Sequence, residues 1–473
     1  MAGKPLNSPL DDVLASLLDR RRERNQLRSL TIVPKGTVDF SSNDYLSLSS
    51  QPTVQRAFLA RLHAAVSSTP ADHNTRPSSL LGSGGSRLLD GNSPFAESLE
   101  SMLAGFHGAR AGLLFNSAMD ANVGLFSCVP QPGDVIVHDS LIHASVHDGM
   151  RMSRASRRIP FAHSRVWEES PVGETASTAN VSSAGRCLEG VLRGLTQGPE
   201  GDQFRSGERN VFIAVEGVYS MDGDVAPLAD IVDCVERYLD QGNGYIMVDE
   251  AHSAGIFGGC GRGLVCELGL EKRVWARVLG FGKAIGCAGG MVLCSPTTRS
   301  YLINYARTLI YTTAMAFPSL ASIEATYNFL AAGQAKPLLA HLDVLIQGAH
   351  RLLLQACSRH RPPPDLLRVR LGKPQSPVIP VLTSQPRNLA KHCQQMRFMV
   401  RPIVAPTVPK GEERIRICLH ARNSMAEVEG LIGAIEQWLV ETMKRGTDRE
   451  GTETGPDTGG VPPEERVTGK AKI

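Results

Sequence analysis

Asp249 and Lys283 are the two residues whose types and settings point to covalent chemistry. Asp249 ends the apolar run Tyr245-Ile246-Met247-Val248, which reads as a buried parallel strand. Such a strand delivers its last side chain to the sheet edge where open α/β folds bind ligands. Lys283 follows 34 residues later in Gly280-Phe281-Gly282-Lys283-Ala284-Ile285-Gly286, a stretch with little side-chain bulk. A lysine in a bare loop can hold an aldehyde as a Schiff base, and an acid can keep a pyridine nitrogen protonated so that the ring accepts electrons. That pairing suits pyridoxal phosphate. A nucleotide phosphate loop fits worse, because Ala284 stands where a Walker A motif carries Ser or Thr, and the third glycine falls one position late for a dinucleotide fingerprint. Taken by themselves, the two residues leave an ordinary surface lysine open.

The surrounding elements narrow the choice. Ala111 to Phe115 reads as a strand, and Asn116-Ser117-Ala118-Met119-Asp120-Ala121-Asn122 turns from it into a helix whose first N–H groups suit a phosphate. Val135-Ile136-Val137 leads to His143, which by its own stretch reads as a core histidine. Val211 to Val215 leads to Glu216-Gly217-Val218-Tyr219-Ser220-Met221-Asp222-Gly223-Asp224, and Pro227 opens a helix that Gly242 stops. Strand and helix alternate from residue 111, which predicts an α/β fold with a mostly parallel, doubly wound sheet. Residues 117–119, 143, 220, 249, 252 and 283 all fall where strands end, the side on which such sheets bind ligands.

Other stretches set the boundaries. Residues from about Leu10 to Leu30 read as a helix with Leu14, Leu17 and Leu18 on one face, and 1–55 as an N-terminal helix and extended segment. Residues 67–79 read as loop. Gly82-Ser83-Gly84-Gly85-Ser86-Arg87 precedes a helix capped by Ser93, opened by Pro94 and stopped at Gly108. Residues 56–300 form the expected large domain, with a surface insertion at 168–209 around a short helix at 186–195. Residues 301–445 form a smaller α+β domain, with strands at Val378 to Leu382, Met399 to Ile403 and Arg414 to Leu419 and a last helix at 423–443. Gly446 to Ile473 has almost no apolar content and reads as a disordered tail.

With 473 residues, 42% of them hydrophobic, the chain can bury a substantial core. A net charge of +3 gives no reason to expect nucleic acid or an acidic membrane surface. Ten scattered cysteines without a C-x-x-C or zinc-type His spacing suit reduced thiols and no metal. No apolar run reaches the ~18 residues of a membrane span. The N-terminus lacks a signal-peptide core, Asp11 and Asp12 argue against an acid-poor transit peptide, and the cysteine pattern suits an intracellular protein.

The motifs Ser-Ser-Asn-Asp-Tyr-Leu (41–46), Gly-Ser-Gly-Gly-Ser-Arg-Leu-Leu-Asp-Gly (82–91), Asp-Ser-Leu-Ile-His-Ala-Ser (139–145), the 216–224 stretch, Val-Asp-Glu-Ala-His (248–252), Phe-Gly-Lys (281–283) and Ala-Pro-Thr-Val-Pro (405–409) occur in this order. Over residues 10–440 the chain resembles the α-oxoamine synthases, fold-type I enzymes that use pyridoxal 5′-phosphate. The resemblance implies a seven-stranded, mostly parallel sheet, a homodimer with active sites at the subunit interface, and a decarboxylative condensation of an amino acid with an acyl-CoA. L-Alanine and a pimeloyl thioester are the favoured pair; another member of the family, or a non-catalytic partner subunit, is the alternative. Lys283 would be the Schiff-base lysine and later the general base, Asp249 the partner of the pyridinium nitrogen, and His143 the group stacked on the ring, in place of the core reading. Ser220 and His252 would meet the ring hydroxyl, and the amides of Ala118 and Met119 the phosphate. Thr312 and Thr313 would reach the neighbouring subunit's cofactor. Arg416 would hold the amino-acid carboxylate through its planar fork, with Arg28, Asn43 and Thr407 at substrate positions.

Two places depart from the family pattern: Gly280 replaces a usual Thr, and Ala118-Met119 a usual Gly followed by an aromatic residue. Both put the strength of cofactor binding in question. The last three residues, Ala471-Lys472-Ile473, resemble a peroxisomal address, with the cytoplasm as the other expected location.

Overall fold

The computed structural model describes residues 8–24, 26–67, 80–168 and 186–450, with side chains to 445. Residues up to Thr37 form a unit of their own. Its helix, Pro9–Glu23, is opened by a capping box in which Ser8 and Asp11 exchange side-chain and backbone hydrogen bonds. It stops at Glu23, short of the expected Leu30, and none of its residues is buried. The following Thr31-Ile32-Val33-Pro34 is β-branched and ends in proline, which favours extended chain over helix.

The packed body begins at Val38, well before the expected boundary at 55. Strand β1 (Val38–Asp39) belongs with the C-terminal part of the chain, pairing in parallel with β11 (Phe398–Met399). The large sheet is built from β2 (Ala111–Phe115), β3 (Val135–Asp139), β4 (Arg157–Phe161), β5 (Val211–Glu216), β6 (Gly244–Asp249), β7 (Ala276–Gly280) and β8 (Gly290–Cys294). Its seven strands lie in the order β2-β8-β7-β6-β5-β3-β4. Strands β4, β3, β5, β6 and β7 run parallel, and β8 is antiparallel to both of its neighbours. The strand–helix alternation therefore breaks once. Residues 281–289 between β7 and β8 hold no helix; they form the lysine loop.

Successive side chains of a strand face opposite sides of the sheet, and the core follows that rule. Val135, Val137, Ile213, Val215, Ile246 and Val248 pack on one face against the helices Leu188–Gln197 and Leu228–Tyr238. Ile136, Phe212, Ala214 and Met247 pack on the other face, among residues of the helices Ala118–Cys128 and Ala144–Met152. Asp249 and Glu216 share the parity of Met247 and Ala214, so the alternation turns both carboxyl groups toward the second face. Asp139 shares the parity of Val137 and turns toward the first.

The smaller sheet has the order β12-β13-β10-β9, from β9 (Arg368–Val369), β10 (Val378–Leu382), β12 (Arg401–Ile403) and β13 (Arg414–Cys418). One apolar cluster spans Leu114, Leu279 and Met291 of the large sheet and Val381, Ile415 and Ile417 of the small one. The division at 300/301 thus separates two sheets with a common core, not two compact bodies. The last helix runs from Met425 to Glu450, into the stretch expected to be tail. Residues 451–473, with the terminal tripeptide, lie outside the described residues, as do 68–79.

Residues 169–185 of the expected surface insertion also lie outside the described residues, but 186–209 is not a surface excursion. Leu188, Leu192 and Phe204 are fully buried in the core of the first face. Its polar composition belongs to the outward side of an amphipathic helix, where Leu188, Val191, Leu192 and Leu195 make the buried stripe. Phe204→Ala should therefore cost about 3–5 kcal/mol. A chemical-denaturation curve would show a clearly lowered midpoint; a surface insertion would leave it unmoved.

Candidate active site

The carboxyl ends of the parallel strands bring the chemistry together. Glu216 and Asp249, the last residues of β5 and β6, are register partners, and each is buried. Asp249 accepts from Asn122 Nδ2 at 2.7 Å and from the Ala251 N–H at 2.9 Å. The same Asn122 amide donates to Ser145 Oγ at 3.0 Å, and Ser145 Oγ lies 2.7 Å from His143 Nδ1. His143 caps the helix Ala144–Met152, its Nδ1 accepting from the Ser145 N–H. With Nδ1 an acceptor, the neutral ring carries its proton on Nε2. His143 is exposed, not a core histidine. The chain Asp249–Asn122–Ser145–His143 fixes acid and imidazole relative to one another.

Lys283 is part-buried in the loop between β7 and β8, and buried Phe281, Ala284 and Ile285 anchor it on either side. The turn closes through Gly286 N–H to the Lys283 carbonyl, 2.8 Å, with Gly286 at φ +68, where a Cβ would strike Ser49 N at 2.5 Å. Burial pushes the Lys283 ammonium below the ordinary lysine value; Asp249 and Glu216 oppose that fall and Arg416 adds to it. Glu216 is pushed well above its ordinary carboxylate value by burial and by the charge of Asp249, which favours its protonated form. His252 is driven well below its usual range by burial, then by the cations Lys283 and Arg416. It is a neutral imidazole whose Nδ1 lies 2.8 Å from the Tyr45 hydroxyl.

Gly280 and Gly290 face each other across β7 and β8. A Cβ on Gly290 would lie 2.6 Å from Ala118 N, and one on Gly280 would lie 2.8 Å from the Ala251 Cβ and 3.3 Å from the Ala118 Cβ. This bare pair lets the start of the helix Ala118–Cys128 sit low on the sheet, where its first-turn N–H groups lack intrahelical partners. Ser117 supplies the cap, accepting from the Asp120 N–H at 3.0 Å. Threonine is thus absent at 280 for a steric reason, since Ala118 and Ala251 occupy the space. Thr312 and Thr313 stand beside this helix start. Asn116 Nδ2 donates to Thr312 Oγ1 at 3.1 Å and to the Thr313 carbonyl at 2.9 Å.

Arg416, on the central strand β13 of the small sheet, donates to Asn43 Oδ1 and to the Ser220 carbonyl, each at 3.0 Å. The Tyr45 hydroxyl donates to Asn43 Oδ1 at 3.3 Å, so Arg416, Asn43, Tyr45 and His252 form one connected wall. Thr407 is exposed on the loop after β12, and among the described residues no hydrogen bond joins it to this wall. Arg28 is exposed and belongs to the separate N-terminal unit. Sequence reasoning missed Asn122, Ser145, Tyr45 and Glu216. The signals were available: a polar residue on the buried side of an apolar helix, an aromatic inside a polar turn, and a second acid ending a buried strand.

The family model for class I and II aminotransferases matches residues 35–435. The chain belongs to that family. It is 48% identical over 437 residues to an 8-amino-7-oxononanoate synthase of Emericella nidulans, covering 92% of this chain and 97% of that protein. It is 33% identical over 447 residues to the aminoacyl transferase sphA of Byssochlamys spectabilis, covering 91% and 87%. Among solved structures, a serine palmitoyltransferase with a pyridoxal phosphate internal aldimine aligns at TM-score 0.71 and 21% identity, over 91% of this chain and 98% of that one. An 8-amino-7-oxononanoate synthase of Francisella tularensis aligns at TM-score 0.62 and 22% identity, over 87% and 100%. The chain is accordingly an α-oxoamine synthase-type member with the fold-type I architecture.

The donor set suits pyridoxal phosphate: an acid at the strand end, a lysine in a glycine turn, free helix-start amides and an accessible imidazole. The glycine pad supplies a direct test. Gly290→Ala must push the helix start off the sheet and misalign the Ala118 and Met119 amides. Loss of one hydrogen bond to a charged group, about 1.5–3 kcal/mol, raises the dissociation constant for the cofactor about tenfold or more. Fluorescence titration of the apoprotein with pyridoxal phosphate measures it, and an unchanged constant would remove the pad from the phosphate site.

Proposed function

We propose that the chain catalyses the decarboxylative condensation of L-alanine with pimeloyl-CoA, or another pimeloyl thioester, giving 8-amino-7-oxononanoate, CoA and CO2 in biotin biosynthesis. The observation that carries the choice within the family is the 48% identity to the Emericella nidulans synthase over nearly the whole of both chains. The site supports the reaction class. When bound, pyridoxal phosphate supplies an aldehyde for covalent capture of an amine and an electron sink for bonds broken at the α-carbon.

The chain's own residues do the rest. Asp249, given two donors and buried, would pair with a protonated ring nitrogen. His143, fixed through Ser145, would cover one face of the ring, and His252, neutral and tied to Tyr45, would meet the ring hydroxyl together with Ser220. Arg416 offers a fixed guanidinium to the amino-acid carboxylate, which orients the α-C–H bond toward Lys283. Lys283 takes that proton at Nζ. Its lowered proton affinity puts more neutral amine at the working pH than an ordinary lysine provides. After CO2 leaves, a proton is returned to the same carbon.

We further propose a homodimer in which Thr312 and Thr313 serve the partner's cofactor phosphate, with Thr407 at the substrate mouth. We also propose delivery to the peroxisome through Ala471-Lys472-Ile473, with the cytoplasm as the default if the tripeptide is not read. Light scattering tests the dimer, and a fluorescent fusion with and without the tripeptide tests the address.

The reaction is tested by crossing alanine, glycine and serine with pimeloyl-, acetyl-, succinyl- and palmitoyl-CoA and following CoA release. Alanine with pimeloyl-CoA should give the highest kcat/KM; a preference for palmitoyl-CoA would move the chain toward the long-chain chemistry of the serine palmitoyltransferases. Arg416→Ala should raise KM for the amino acid at least about tenfold, the cost of a charged hydrogen bond, and leave KM for the thioester nearly unchanged. Equal effects on both would remove the arginine from the carboxylate.

A further inference from the structure

On the opposite face of the large sheet from Asp249, a histidine sits between two acids. His163, in the turn after β4, has Nδ1 2.9 Å from Asp139 Oδ1 and Nε2 2.7 Å from Asp224 Oδ2. Asp139 ends β3 and is fully buried; it also accepts from the Leu141 N–H at 2.8 Å and the Ser164 N–H at 2.9 Å. Asp224 lies in the loop 217–224 between β5 and the helix Leu228–Tyr238. The Tyr219 ring of that loop stands edge-on to His163 at 4.4 Å.

The same loop reaches the small sheet. Its Ser220 carbonyl accepts from Arg416 at 3.0 Å, and Asp222 accepts from Arg414 at 2.6 Å and pairs with Arg370. Ser376 Oγ donates to the Gly223 carbonyl at 2.7 Å. The loop is thus tied on one side to the strand that carries Arg416 and on the other to His163. We infer that His163, bonded at both ring nitrogens, is a positioning residue that fixes the 217–224 loop and, through the Ser220 carbonyl, sets the guanidinium of Arg416.

Geometry demands a charged ring. A neutral imidazole has one N–H, so it would turn a lone pair on one carboxylate oxygen at hydrogen-bond distance; only the doubly protonated ring satisfies both contacts. Burial by itself would lower the proton affinity of His163, but the bonds to Asp139 and Asp224 outweigh it and raise the pKa to about 10. Since the folded value lies above the unfolded one, the clamp's contribution is complete below the unfolded pKa of ~6.5 and disappears only as pH rises through the folded value. The titratable groups facing the ring are Asp139, Asp224 and Tyr219. The charge is compensated on the spot by the two carboxylates that accept from the ring.

The inference rests on Arg416 holding the amino-acid carboxylate, and its test separates the two. His163→Gln can bond only one of the acids. It should raise KM for the amino acid about tenfold, the weight of one charged hydrogen bond, while KM for the thioester stays within experimental scatter. A merely structural loss would lower kcat or active-enzyme yield without that split. If His163→Gln does not fold, Asp224→Asn keeps the shape, removes the charge and is expected to show the same split. In 15N-histidine-labelled enzyme at about pH 8 both His163 nitrogens should carry protons, since a free histidine near pKa 6.5 would be neutral there. A neutral His163 ring, or unsplit kinetics in a variant that folds, overturns the inference. If Arg416→Ala also leaves the amino-acid KM unmoved, the carboxylate assignment itself is at fault and the inference falls with it.

Discussion

Everything in the site follows from one registered pair, Glu216 beside Asp249 at the ends of β5 and β6. Two carboxyl groups on neighbouring parallel strands, facing the same way and out of water, cannot both ionise without compensation. The structure resolves this unequally. Asp249 receives the Asn122 amide and the Ala251 N–H, while burial and the charge beside it raise the proton affinity of Glu216. The nearby ammonium of Lys283 is itself weakened by loss of solvent, with Asp249 and Glu216 opposing that fall. A lysine so weakened suits the covalent and proton-moving roles proposed for it.

The second half of the site comes from the small sheet, and the two sheets must hold a common geometry for a carboxylate on Arg416 to lie within reach of Lys283. A continuous apolar core gives the gross placement. The fine placement falls to the 217–224 loop, whose Ser220 carbonyl and Asp222 carboxylate take the guanidinium groups of β13. Backbone and side-chain hydrogen bonds of this kind are directional where apolar packing is not, so they are the natural means of setting one side chain.

Much of this was legible in the chain. The apolar runs before Asp249, Glu216 and Asp139 announce parallel strands, and the helices after Ser93, Ser117 and Pro227 carry their own start signals. Lys283 and Asp249 follow from residue type and setting, and the motif resemblance adds His143, His252 and Arg416, each of which the fold gathers at the carboxyl edge or on the adjoining wall. What was not legible depended on tertiary partners. The loss of alternation at β8 shows only once β7 turns back directly. The 186–205 helices looked like surface because one side of each is polar, and the buried stripe declares itself only against the sheet. Asn122 and Ser145 are unremarkable in sequence, since their roles come from an acid 127 and 104 positions away. The end of the first helix near Glu23 was overrun because leucine and arginine favour helix equally on either side of it.

The central claim is that the Lys283 amine is the covalent anchor of the cofactor. The direct measurement is to load the purified protein with pyridoxal phosphate, reduce it with borohydride, digest it and sequence the labelled peptide by mass spectrometry. The account predicts a visible Schiff-base band that reduction abolishes, with the phosphopyridoxyl mass on Lys283 and no label in Lys283→Ala. A label on a different lysine of the native protein, or a protein that binds the cofactor with no reducible bond, would contradict it.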